Sequence, residues 1–229
     1  MDGDVNIAAV ATLLAEPARA SILIALGDGR AFTAGELARQ AKVAPSTASE
    51  HLARLVDSGL IVVEKQGRNR FYRLGDPMIV EIIESMSILA PRMNVRSLGD
   101  SERAKAVRKA RVCYKHLAGS LGVALSETLV AHQFLSEAEA GYILEKQGRT
   151  EFASFGLHSP LLNKAGTIVI TRHIDWSERR HHIAGELGAA LTQRLFDLGW
   201  LRRARQGRAV YLTQEGCEGL AQRFGLVSS

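Results

Sequence analysis

Residues 45–59 read PSTASEHLARLVDSG. Pro45 suits the first turn of a helix, where a missing N–H leaves nothing unsatisfied, and Asp57-Ser58-Gly59 ends that helix. Ala48, Leu52, Leu55 and Val56 fall on one face. Ser46, Thr47, Ser49, Glu50, His51 and Arg54 lie elsewhere on its surface. The spacing predicts a helix held to a core by one stripe, with short hydroxyls gathered at an open N-terminus.

The neighbouring segments extend the pattern in both directions. Val5 to Leu14 repeats apolar residues at helical spacing, and Pro17 opens a second helix that stops at Gly27-Asp28-Gly29. Thr33, with Glu36 three residues on, resembles a capping box for a short helix carrying Leu37 and Ala38. A turn at Ala41 to Ala44 leads into Pro45. Downstream, Leu60 to Val63 and Arg70 to Leu74 read as two strands around a polar turn with Gly67 and Asn69. Asp76-Pro77 then caps a helix that is apolar at Ile79, Ile82, Ile83 and Met86.

Short hydroxyls and free N–H groups at a helix N-terminus can approach phosphates closely. Such a helix can also enter a major groove with its first residues against base edges. Pro45, Ser46, Thr47, Ser49, Glu50 and His51 are the expected groove-facing set, and Arg54, nearer the helix end, is expected to grip a phosphate. Glu50 suits a groove only by accepting from a cytosine amine. The hairpin adds Arg68, Asn69 and Arg70 at its tip, supported by Lys65 and Arg73. Helix pair and basic hairpin, in this order and with short connections, predict a winged helix-turn-helix on double-stranded DNA.

Leu14 to about Leu89 resembles the ArsR/SmtB family of winged-helix repressors. The resemblance rests on LAEPAR (14–19), GELA (35–38), STASEHL (46–52), Gly59-Leu60 and the wing EKQGRNRFYR (64–73). It covers about a third of the chain. It implies a homodimer on an inverted-repeat operator, repressing until a signal releases it. One departure is Ala44, where the family often places a serine cap; it bears on helix stability, not on the fold. The family's two familiar metal sites are absent: residues 36–40 contain no cysteine, and residues 76–89 contain no histidine.

The C-terminal part carries an internal repeat. Residues 116–125 read HLAGSLGVAL and residues 182–191 read HIAGELGAAL, identical at seven of ten positions without a gap. Residues 91–100 are expected to be a linker, and Ser101 to start a long helix reaching Leu129. On helices, Gly119 and Gly122, like Gly185 and Gly188, would let another backbone approach closely. The two copies are therefore expected to pack on each other, or on a dimer mate, about an approximate twofold. A weaker echo relates residues 55–68, LVDSGLIVVEKQGR, to residues 195–208, LFDLGWLRRARQGR. The C-terminus thus also reads as a degenerate winged-helix-like unit.

Composition narrows the class. About 46% apolar and 23% charged residues suit a folded protein, and no run approaches the roughly 18 apolar residues of a membrane span. The net charge of +5 is local: residues 91–115 hold 8 Lys/Arg against 2 Asp/Glu, and the flanking parts nearly balance. Such a block fits a polyanion partner or a solvated helix face. The acidic start, MDGD, lacks the features of a secretory signal, and Cys113 and Cys217 make no disulfide framework. A cytoplasmic location is expected.

The expected architecture is mainly α with small β-hairpins. A winged helix-turn-helix fills residues 1–90, and a dimerisation and effector-sensing domain fills residues 101–229. The expected function is a homodimeric repressor, not an enzyme, released by a small organic effector and carrying no cofactor or metal. Ten of the 13 aromatic residues lie beyond residue 110, where they either line a pocket or form the core. Tyr114, His116, Trp176 and His182 are the candidate effector residues. Two alternatives stand beside this reading. One is a metal- or redox-responsive regulator using Cys113 and His116, with His173, His181 and His182 also in the sequence, although a zinc site needs about four converging groups. The other is a ligand-binding protein or enzyme working through the C-terminal domain.

Overall fold

The computed structural model describes residues 5–91, 98–205 and 207–227. Its backbone contacts divide the chain into two units, residues 1–83 and 84–229. The expected acidic start lies outside the described residues, as do residues 92–97 of the expected linker.

The first unit follows its local signals closely. Helix α1 (Ile7–Leu14) is capped by Asn6, and α2 (Pro17–Leu26) has its proline in the first turn and Glu16 as cap. The buried Arg19 donates from Nε to Leu13 O at 2.8 Å and from Nη2 to Thr12 O at 2.9 Å, closing the end of α1. Strand β1 (Phe32–Thr33) runs into α3 (Ala34–Ala41), where Thr33 and Glu36 form the reciprocal capping box. Helix α4 (Pro45–Asp57) follows, then β2 (Ile61–Gln66) and β3 (Asn69–Leu74). The antiparallel sheet has the order β1-β3-β2. Helix α5 (Met78–Leu89) begins here, with Asp76 Oδ1 accepting from Met78 N at 2.7 Å. Ile22, Leu23, Leu26, Leu37, Leu52, Leu55 and Ile61 form the inaccessible centre. Each such side chain contributes roughly 1.5–3 kcal/mol relative to exposure. This is the expected winged helix-turn-helix.

The second unit corrects the expected long helix. Helix α6 (Leu98–Lys109) stops before Arg111. A hairpin of β4 (Arg111–Cys113) and β5 (His116–Ala118) intervenes, and α7 (Ser120–Ala131) starts only afterwards. Tyr114, at φ 58°, turns the chain, and Gly119, at φ 84°, caps α7 rather than lying within it. The strands looked helical because all six of their residues are buried, so the alternation of a half-exposed strand is missing. Then come β6 (Leu135–Ala138), β7 (Gly141–Leu144), α8 (Lys146–Ser154), a 3₁₀ turn at Pro160–Asn163 and β8 (Val169–Ile170). Strands β9 (Arg172–Ile174) and β10 (His181–Ile183) form a hairpin. Helix α9 (Gly185–Asp197), hairpin β11 (Leu201–Arg203) and β12 (Val210–Leu212), and α10 (Gln214–Phe224) end the unit.

The repeat is a strand–helix unit whose copies pack reciprocally: α7 lies against β10, and α9 against β5. The close approach is real. A Cβ on Gly188 would lie 2.8 Å from Ile183 O and 3.0 Å from the His116 Cβ of the other copy. The duplication also runs beyond the identical residues. Each copy continues as helix, hairpin and helix, the winged-helix-like pattern expected for the second alone. Glu145 N donates to Phe134 O at 3.1 Å, as Thr213 N does to Trp200 O at 3.0 Å. A Cβ on Gly148 or Gly216 would strike those same two carbonyl oxygens, at 2.1 and 2.3 Å. Phe134, Tyr142, Phe152 and Phe155 join the shared core, with Phe196 and Trp200 packed on it.

Candidate nucleic-acid interface and the buried histidine cluster

Helix α4 presents an open N-terminus. Ala44 makes no side-chain cap, and Pro45 fills the first position. Pro45, Ser46, Ser49, Glu50 and Arg54 are exposed and Thr47 half-buried, while Ala48, Leu52 and Leu55 hold the helix to the core. Two members of the predicted set are partly engaged. Ser49 Oγ donates to Pro45 O at 2.9 Å. His51 is only 14% exposed, and its Nε2 lies 3.5 Å from Glu16 Oε2 at the start of α2. His51 thus ties α4 to α2.

The wing places like charges side by side. In the β2–β3 register Lys65 is opposite Arg70 and Gln66 opposite Asn69, leaving Gly67 and Arg68 at the tip. Asn69 is therefore the first residue of β3, not part of the turn. Directly opposed like charges cost stability in a strand pair. Arg73 is different, since its Nε donates to Glu64 Oε1 at 2.7 Å. Lys65, Arg68, Asn69 and Arg70 are all exposed.

In the second unit, the candidate effector residues fall into two groups. His116 and His182 come together, with ring centroids 5.1 Å apart, and His173 lies 5.0 Å from His116. Burial and then the neighbouring imidazoles hold His116 well below the ordinary imidazole range. Burial likewise holds His182 at about 4, against the pull of Asp175. Trp176 instead stacks beneath Arg111, 4.7 Å from ring centre to guanidinium carbon, and Tyr114 sits at the hairpin turn. Cys113 is fully buried, and burial pushes its thiol up, away from the thiolate a redox switch needs.

A helix-turn-helix domain model matches residues 14–64. An uncharacterised HTH-type transcriptional regulator of Bacillus subtilis, YdfF, is 41% identical over 211 residues, covering 92% of this chain and 93% of the relative. The chain belongs to the helix-turn-helix transcriptional regulators. Two further similarities cover a smaller share of this regulator. A biofilm growth-associated repressor of Agrobacterium fabrum is 29% identical over 92 residues, 39% of this chain and 78% of that one. The structure of reduced HlyU from Vibrio cholerae, 28% identical, covers 37% of this chain and 88% of its own, with a TM-score of 0.34. The regulator is a DNA-binding transcriptional regulator and not an enzyme. Among the described residues, no single helix is long and apolar enough to cross a membrane.

Sequence reasoning missed this regulator's buried charge network. Arg111, counted in the basic block, is inaccessible. Its Nη2 donates to Asp175 Oδ2 at 2.9 Å and Glu84 Oε2 at 3.4 Å, and Arg208 closes on the other oxygen of Glu84. Asp175 Oδ2 also accepts from Gly119 N at 2.6 Å. Burial opposes the Asp175 charge, but Arg111 and the hydrogen bonds from Ser177 and Gly119 bring its carboxyl to about 2. Glu84 is held below the ordinary range in the same way, by Arg208 and Arg111 against burial. His173, one of three further histidines the sequence left unplaced, joins His116 and Cys113 in space and pairs with His182 across β9 and β10, which spacing alone does not reveal.

Proposed function

We propose that this regulator is a homodimeric repressor that binds an inverted-repeat operator in double-stranded DNA, in the cytoplasm, and is released by a signal received in its C-terminal part. The carrying observation is the uncapped, exposed N-terminus of α4 beside a wing with opposed cations, Lys65 and Arg70. Ser46, Thr47 and Glu50 read base edges. Pro45 and Ser49 shape the helix entry, and Arg54, Arg68, Asn69 and Arg70 grip the backbone. An apolar surface supports the second copy: Val5, Ile7, Val10, Met78 and Ile82 are 42–77% exposed on or beside α1 and on α5. Residues 1–90 serve DNA reading and offer this apolar face to the second copy, and residues 101–229 serve sensing and further dimer contact.

A small organic effector has less support than the sequence offered, because most of the aromatic residues that would line its pocket are spent in the core. The convergence of Cys113, His116 and His173, with the His182 ring beside both other imidazoles, favours the second reading, a metal-linked signal.

Fluorescence anisotropy of metal-stripped protein, on its own upstream DNA and on scrambled DNA at two salt concentrations, tests operator binding. Preference for the upstream DNA is expected. Equal binding to both, with the same salt slope, would leave only nonspecific phosphate attraction.

A further inference from the structure

Two hairpins deliver four donor-bearing residues by the same register. Cys113 pairs with His116 across β4 and β5, and His173 pairs with His182 across β9 and β10. His116 and His182 are repeat equivalents, so Cys113 and His173 are equivalent too. One donor atom each from Cys113, His116 and His173 lies within 4.8 Å of the other two.

A tetrahedral zinc ion, with Zn–S about 2.3 Å and Zn–N about 2.0–2.1 Å, separates its ligand atoms by about 3.3–3.7 Å. Closure by about one ångström therefore brings these three donors to ligand spacing. A second observation points the same way. His116 and His182 are 3% and 1% exposed, yet Nε2 of His116 and both ring nitrogens of His182 have no hydrogen-bond partner among the described residues. Neutral imidazoles in that state keep lone pairs with nothing to accept.

We propose that Cys113, His116 and His173 hold one zinc-class divalent cation per chain, with Nε2 of His182 as the fourth ligand. The Nδ1 of His182 lies 3.9 Å from Asp175 Oδ2, so a carboxylate stands behind that ring, as it does behind many metal-bound histidines. Binding expels the Cys113 thiol proton to solvent and leaves a thiolate on the metal. The site lies in neither stretch searched for the family's familiar ligands. It stands apart from the operator reading, because no DNA contact enters the argument.

Cobalt titration of the full-length, metal-stripped protein tests it. One equivalent of Co²⁺ is expected to bind with a sulfur-to-cobalt charge-transfer band and strong tetrahedral d–d bands, and zinc is expected to displace it. Cys113→Ser should abolish the charge-transfer band. His173→Gln, at a partly exposed position, should weaken affinity by more than the roughly 10–100-fold that losing a mere outer-shell partner costs, whereas His181→Gln, an imidazole outside the set, should change nothing. No stoichiometric uptake by folded protein would overturn the proposal. So would a cobalt spectrum unchanged by Cys113→Ser, or equal losses from His173→Gln and His181→Gln.

Discussion

His116 and His182 lie 5.1 Å apart, ring centre to ring centre, at equivalent positions of two copies of one strand–helix unit. Equivalent residues meet in this way only near the axis that relates the copies, and Gly188 lets them come so close. Gly188→Ala should cost about 1–3 kcal/mol by overpacking, because the new methyl meets Ile183 O and the His116 Cβ at 2.8 and 3.0 Å. Gly35→Ala in α3, whose nearest neighbour would be an Arg39 nitrogen at 3.8 Å, should cost nothing. Urea midpoints of the two variants check this contrast.

Arg111 is the keystone of a buried charge network. Arg111→Met should destabilise the protein by about 3–5 kcal/mol, because it leaves carboxylates of Asp175 and Glu84 buried without their shared cation. Chemical denaturation gives the value. A loss below about 1 kcal/mol would mean that Arg208 compensates alone.

The α3 capping box makes a pH-dependent contribution. Glu36 accepts from Thr33 N and Thr33 Oγ1, both at 2.8 Å, and these bonds hold its carboxyl below the ordinary glutamate range. A lowered carboxyl stabilises the fold above its unfolded pKa and loses that contribution as pH falls through the folded value. Thr33→Ala should cost about 1 kcal/mol near neutrality. Relative to the wild type, the deficit should shrink when denaturation is repeated at about pH 3, where the carboxylate is protonated.

Reading and gripping should separate on DNA. Thr47→Ala with Glu50→Ala should reduce discrimination between operator and random DNA. Arg68→Ala with Arg70→Ala should weaken binding to all sequences and flatten the salt slope by about one unit per lost phosphate contact. His51→Ala should instead lower stability, since the ring lies against Glu16 on the protein side. Anisotropy at several salt concentrations distinguishes these outcomes, and identical behaviour of the two pairs would refute the division.

Zinc should stabilise the fold. At about 100 times its dissociation constant it should add about 2.7 kcal/mol, visible as a raised Tm in the wild type and a much smaller shift in Cys113→Ser. Equal shifts in both proteins would place the ion elsewhere.

The first unit was legible because its punctuation is local. Pro17, the Thr33–Glu36 pair, Pro45 and the Gly67 turn each act within a few residues of where they stand. The start of the second unit was not, because β4 and β5 are buried on both faces and show no period. Gly119 was read inside a helix although its φ of 84° makes it a cap. The repeat announced itself over residues 116–125 and 182–191, but its continuation through Phe134 and Trp200 survives as matched backbone geometry rather than as identical residues. His173 and Arg111 owe their places to strand register and to charges far along the chain, which local spacing does not encode.

Fusing the two copies into one chain has a consequence for how the histidine cluster forms and changes. Two separate chains meeting on a true twofold must contribute the same residues from each side. Here a cysteine at position 113 answers a histidine at position 173, a mixed set that an exactly symmetric partnership forbids. Either half can be altered without altering its counterpart. Because both halves arrive on one polypeptide, the cluster also assembles in a step independent of protein concentration, whereas operator occupancy by a dimer falls as the protein is diluted.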